Sequence, residues 1–135
     1  MPSIFSQIIA GQIPSYKIAE NETCFAFLDV FPLAPGHTLV VPKIEIDNIH
    51  DLDAVTHAAL FAFSKKIARA IGKAIPCKKV GMAVVGLEVP HAHVHLVPLN
   101  QVADLDFSKP KVRASDENLS SIQQRIMEAL KDINA

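Results

Sequence analysis

The run His91-Ala92-His93-Val94-His95-Leu96-Val97-Pro98 restricts the fold more than any other stretch of the chain. Histidine alternates there with apolar residues, and a period of two belongs to an extended strand with one face buried. Ala92, Val94 and Leu96 are expected to enter a core, with His91, His93 and His95 lining the opposite face. Same-face neighbours on a strand lie about 6.6 Å apart and the outer pair about 13 Å. Zinc binds imidazole at about 2.0–2.1 Å, so a row this extended does not easily close on one metal, whereas two adjacent rings can converge on one small target. Imidazole is nucleophilic when neutral and donates a proton when charged, switching near pH ~6.5. The row can therefore supply a nucleophile, a group that orients it and an acid.

The remaining composition narrows the class. A chain of 135 residues with half of them hydrophobic can enclose one core. Thirteen basic residues against fourteen acidic ones give no broad attraction to nucleic acid or membrane, although local lysines could still bind a phosphate. No signal peptide and no bilayer-spanning apolar run is visible. Cys24 and Cys77 are too far apart in sequence to suggest a zinc knuckle or a disulfide framework, so a reduced, cytoplasmic protein is expected.

Local signals place the elements. Ser3 is an N-cap for a short helix with Ile4, Phe5, Ile8 and Ile9 on one face, ended by Gly11 and Pro14. Residues 16–19 and 24–30 read as a hairpin around Glu20-Asn21-Glu22. Phe31 to Gly36 is a loop, and 37–43 a third strand. Asp51 or Asp53 opens the longest helix, which runs to about Ala74 with Ala59, Phe63, Ile67, Ala70 and Ala74 on the packed face. Phe61 lies near its polar side and could mark a partner surface; His50 and His57 are assigned to a helix end and the surface. Residues 79–85 form the strand before the histidine run. Gln101 to Ala114 is a loop or extended arm carrying Lys109, Lys111 and Arg113, and Ser115 caps a last helix with an apolar stripe from Leu119 to Ile133.

The histidine run resembles the signature of the histidine triad (HIT) family, His-φ-His-φ-His-φ-φ with φ apolar, read here from His91 to Val97. A second block, Pro35-Gly36-His37-Thr38-Leu39-Val40-Val41-Pro42-Lys43, is similar to the family's other recognisable stretch. The resemblance covers about residues 1–100 and implies an α+β fold: an antiparallel sheet of about five strands, one long packed helix and short terminal helices. It implies a single domain over 1–135, with 101–135 as a C-terminal loop and helix, and a homodimer joined partly through the long helix and an adjacent sheet edge.

The function implied is that of the HINT-type nucleotide phosphoramidases, with a dinucleoside polyphosphate hydrolase as the runner-up. A purine nucleoside monophosphate joined to an amine or phosphate is hydrolysed through a nucleotidyl-histidine intermediate. On this reading His93 attacks the α-phosphorus, His91 holds its tautomer, His95 binds phosphate oxygens and His37 completes the network. Asp29 accepts hydrogen bonds from the ribose hydroxyls, a task suited to a carboxylate that can take two O–H donors. Phe27 and Val30 contact the nucleoside, and Phe5 and Ile8 of the first helix wall the base pocket. No cofactor is implied. Two competing classes stay open: a nucleotide-binding regulatory protein with little turnover, and a metal-binding histidine strand.

The chain departs from the family pattern at two places. Many relatives carry a Cys-x-x-Cys zinc pair where this chain has Ser3-Ile4-Phe5-Ser6, and serine lacks the thiolate of a structural zinc site, so no metal is expected. Relatives also carry Gly-Gln-Ser or Gly-Gln-Thr before the triad, where this chain has Gly86-Leu87-Glu88. The usual hydroxyl donor on the leaving-group side is replaced by a carboxylate, which accepts rather than donates. Glu88 is either solvated in a turn or repels a phosphate leaving group in favour of an amine.

Overall fold

The computed structural model describes residues 2–133. Helix α1 (Ile4–Ile9) begins where the Ser3 hydroxyl accepts the Ser6 N–H and ends before Gly11, whose φ of +80° a side chain would oppose. Helix α2 (Ala54–Ala74) is capped by Asp53, which accepts the Thr56 N–H, so Asp53 and not Asp51 opens it. Asp51 instead closes a short 3₁₀ turn, Ile49–Asp51, that the sequence does not announce. Helix α3 (Asp116–Leu130) is capped by Ser115 and packs on α2.

Five antiparallel strands form one sheet: β1 (Lys17–Glu20), β2 (Cys24–Leu28), β3 (Thr38–Pro42), β4 (Lys79–Ala83) and β5 (Val94–Leu99), in the spatial order β1-β2-β3-β5-β4. The β1–β2 turn is set by Asn21, whose Oδ1 accepts the N–H groups of Thr23 and Cys24. Alternation then sorts each strand onto two faces. Cys24, Ala26, Leu28, Val40, Val94 and Leu96 meet α2 and α3 in the larger core. Phe25, Phe27, Leu39 and Val41 face the other way, where Phe5 of α1 covers them in a smaller cluster. Full burial of one such aromatic contributes roughly 1.5–3 kcal/mol, enough to dock a six-residue helix with little stability of its own.

Three boundaries differ from the sequence reading. The packed face of α2 is Leu60, Phe63, Ser64, Ile67, Ala70 and Ile71, which meets the sheet and α3, while Ala59 and Ala74 at its border are only half-buried. Phe61 is half-buried against that core and stacks near His57 at 4.9 Å, so it is not a protruding anchor. Strand β5 starts at Val94, paired with Val40; beyond that pair Val41 and Pro42 stay paired with β2 alone, and Pro42 has no N–H to extend the ladder toward Ala92. His91, Ala92 and His93 therefore approach the sheet without joining it, and the Ala92 N–H goes to the Ile46 carbonyl. The alternation still holds, since Ala92, Val94 and Leu96 all enter the larger core.

Candidate active site

All three triad histidines are buried, and so is His37. They receive the protein's own polar groups at set atoms, and those partners assign the tautomers, because a carbonyl only accepts and a peptide N–H only donates. His93 Nδ1 lies 2.8 Å from the His91 carbonyl, so Nδ1 carries the hydrogen. Its Nε2 then holds the lone pair. Among the described residues this atom has no hydrogen-bond partner, yet no buried side-chain nitrogen or oxygen lacks one, so Nε2 opens onto the adjoining cavity.

His37 Nδ1 accepts the Leu33 N–H at 3.0 Å, which puts its hydrogen on Nε2. That hydrogen is donated to His95 Nδ1 at 3.0 Å, leaving His95 with an N–H at Nε2. His91 is held at both ends: Nε2–H donates to the Pro42 carbonyl at 2.7 Å, and Nδ1 accepts the Ser3 hydroxyl at 2.7 Å. Glu45 fixes this corner by accepting the Ser3 N–H and the Ser6 hydroxyl. The ring centroids of His93 and His95 are 4.9 Å apart, with Phe5 edge-on to His93 at 4.9 Å and Phe107 edge-on to His95 at 4.7 Å.

Burial disfavours the charged form of His37, His93 and His95. Loss of solvent lowers the His37 pKa to about 3 and the His95 pKa to about 4, with neighbouring imidazoles adding to both effects. His93 is lowered by burial as well, against the opposing influence of its bond to the His91 carbonyl. A neutral His93 with its lone pair at the cavity is a nucleophile at ordinary pH.

The cavity beside the triad has a volume of about 500 Å³ and suits a nucleotide-sized ligand. Phe5, Ile8, Phe27 and Val30 line it together with Asp29, His37, His93, His95 and Glu88. His91 stays behind this wall and acts through its carbonyl. Asp29 uses Oδ1 to accept the Phe31 N–H at 2.8 Å, while Oδ2 lies 3.7 Å from His37 Nε2. Burial pushes its carboxyl pKa up, against the lowering effect of that N–H and of Lys111. A second hollow of about 690 Å³, between the 32–36 loop and α3, contains none of the triad histidines.

Four residues at the site were not given these roles by the sequence. Ser3 is legible as a cap but not as the partner of His91. Glu45 carries no motif. Phe107 and Lys111 belong to the 101–114 arm, whose lack of periodicity hides that it folds back over the cavity. The His37 network also joins His95 and not His91, so the group that sets the His93 tautomer is the His91 backbone carbonyl.

A sequence profile of the HIT domain matches residues 10–102. The chain is a HIT family protein of the HINT type. It is 31% identical over 133 residues to a Schizosaccharomyces pombe protein named adenosine 5'-monophosphoramidase, covering 97% of this chain and 100% of that one. It is 35% identical over 137 residues to the Bacillus subtilis protein hit, covering 94% and 93%. The HIT-like protein of Bartonella henselae superposes with a TM-score of 0.83 at 30% identity, covering 94% and 95% of the two chains.

A structural zinc would not fit the Ser3–Ser6 corner. Its donors would be two neutral hydroxyls and one imidazole nitrogen, and all three already serve each other and Glu45. Asp29, His37 and His95 place ligand atoms within 4.8 Å of one another, but their nitrogens share the hydrogen bond that fixes the His95 tautomer.

Proposed function

We propose that this HIT protein hydrolyses an adenosine 5'-phosphoramidate or a related nucleotide conjugate at its α-phosphate. The observation that carries this reading is the bond from His93 Nδ1–H to the His91 carbonyl, which leaves the Nε2 lone pair at the mouth of a nucleotide-sized cavity. The base lies among Phe5, Ile8, Phe27 and Val30, and the ribose hydroxyls meet the Asp29 oxygen not used by Phe31.

His93 Nε2 attacks phosphorus and the bond to the leaving group breaks. The electron pair of that bond departs with the leaving group, which takes up a proton if it is an amine. The positive charge formed on His93 is stabilised through Nδ1–H at the His91 carbonyl, and His95 Nε2–H donates to a phosphate oxygen. Water then attacks the same phosphorus, the P–N bond breaks, and AMP leaves with neutral His93 restored. Dividing one hard displacement into two is the gain from covalent catalysis.

The chain pairs with a second copy partly through α2 and partly along β4, an open sheet edge where Met82, and Val84 and Val85 just beyond the strand, are exposed. Two free thiols, at Cys24 and Cys77, accord with a reducing cytoplasmic location.

The test is AMP release from adenosine 5'-phosphoramidate by chelator-treated protein, with His93→Ala alongside. Release by the wild type and loss of at least about 10³-fold in the variant is expected. Nucleotide binding without release would replace this reading with a regulatory nucleotide-binding protein, which the lack of a hydroxyl donor at Gly86-Leu87-Glu88 favours.

A further inference from the structure

The arm after β5 returns to the cavity as Phe107, Lys109, Pro110 and Lys111, all of which line it. Lys111 Nζ contacts the Glu88 carboxylate, 23 residues earlier, and both residues line the cavity that His93 and His95 line. The opposite wall, with Phe5, Ile8 and Phe27, is apolar and suits a base. With the base there and the ribose at Asp29, the group bonded beyond the α-phosphate faces the charged mouth.

Both partners of the pair are largely exposed, at 56% and 73% of their side chains. An ion pair this solvated contributes little to stability, so an incoming charged group can open it. Glu88 alone would repel an anion. Lys109 and Lys111 line the same cavity, which sets two cationic side chains beside the carboxylates of Glu88 and Asp29. The charge of Lys111 also lowers the pKa of His95 and of Asp29.

We propose that Lys111, paired with Glu88 until substrate arrives, determines leaving-group specificity by meeting an anionic leaving group such as sulfate or phosphate. This rests on the hydrolysis proposed above. A sulfate or phosphate departs with the P–O electron pair and needs its negative charge met, not a proton delivered. An ammonium-type cation on Lys111 does that, whereas the missing hydroxyl donor at residues 86–88 would have served by hydrogen bonding. An amine leaving group must instead gain a proton as the P–N bond breaks, which solvent at the open cavity supplies, so it depends less on the Lys111 charge.

The experiment compares kcat/KM for adenosine 5'-phosphosulfate and adenosine 5'-phosphoramidate in the full chain, in Lys111→Met, Lys111→Arg and Glu88→Gln. Lys111→Met is expected to lose about tenfold or more on the phosphosulfate and less than about threefold on the phosphoramidate. Lys111→Arg should keep the wild-type ratio, and Glu88→Gln should shift the ratio toward the phosphosulfate by freeing the lysine. Equal losses on both substrates would overturn the inference by assigning Lys111 to the shared α-phosphate or to folding, and no loss would overturn it outright. Either result with wild-type turnover intact leaves the proposed hydrolysis standing; AMP release from neither substrate by the wild type overturns both.

Discussion

Ser3 and His91, 88 positions apart in sequence, share a 2.7 Å hydrogen bond buried at the rear of the triad. One end of the His91 ring is held by this hydroxyl and the other by the Pro42 carbonyl, and the same residue's carbonyl orients His93. Ser3→Ala would leave His91 Nδ1 with only the distant Ser6 hydroxyl, at 3.5 Å, and remove the α1 cap. A stability loss of about 1–3 kcal/mol is expected in urea titration, with kcat falling more than KM rises. Ser3→Thr, which keeps the hydroxyl, should restore both.

Acid should destabilise the protein from near neutrality downward. In the unfolded chain a histidine takes up a proton near pH ~6.5, while in the fold His37 does so at about pH 3 and His95 at about pH 4. Between those limits the unfolded state binds more protons. Stability is therefore full above about pH 6.5 and declines as pH falls toward 4, by up to about 1.4 kcal/mol per pH unit for each proton. Urea midpoints across that range measure the slope, and His37→Asn should flatten it.

The same shifts move the acid limb of the rate profile. Attack needs neutral His93, whose pKa lies below the ordinary histidine value. The fall in kcat/KM on acidification is expected below pH ~6.5 and not at it.

Phe107 covers His95 at 4.7 Å and His37 at 6.4 Å. Phe107→Ala should admit water to both rings and let the His95 pKa climb from about 4 toward the ordinary value. Histidine proton resonances followed across pH would record the change; an unmoved His95 would deny Phe107 its role as a cover.

Gly36 precedes His37 with φ +99°, and a Cβ there would lie 3.1 Å from Ile75 and 3.2 Å from Pro98. Gly11, at φ +80°, has open space around the same atom. Gly11→Ala should cost roughly 1–2 kcal/mol for the left-handed backbone alone, and Gly36→Ala more, because the contact adds to it. Thermal melting of the two variants separates these contributions.

The order of polar and apolar residues along the chain makes much of the fold legible. Alternation from Ala92 to Leu96 places those side chains in the core, and the local capping residues Ser3, Asp53 and Ser115 mark the helix starts. Periodicity and caps act over a few residues, so they survive in one dimension. The start of β5 is not legible in the same way, because it depends on where pairing with the neighbouring strand stops, at Val40–Val94.

Residue types alone set the three imidazoles apart from the apolar residues that enter the larger core, and put an acidic group after β2. Which nitrogen of His93 bears the hydrogen was decided by the His91 carbonyl, which of its neighbours His37 serves was decided by the β3–β5 register, and the charge at the mouth was decided by an arm returning from residue 111. These contacts join positions distant in sequence through directional hydrogen bonds and solvent exclusion, quantities that exist only once the chain has closed on itself.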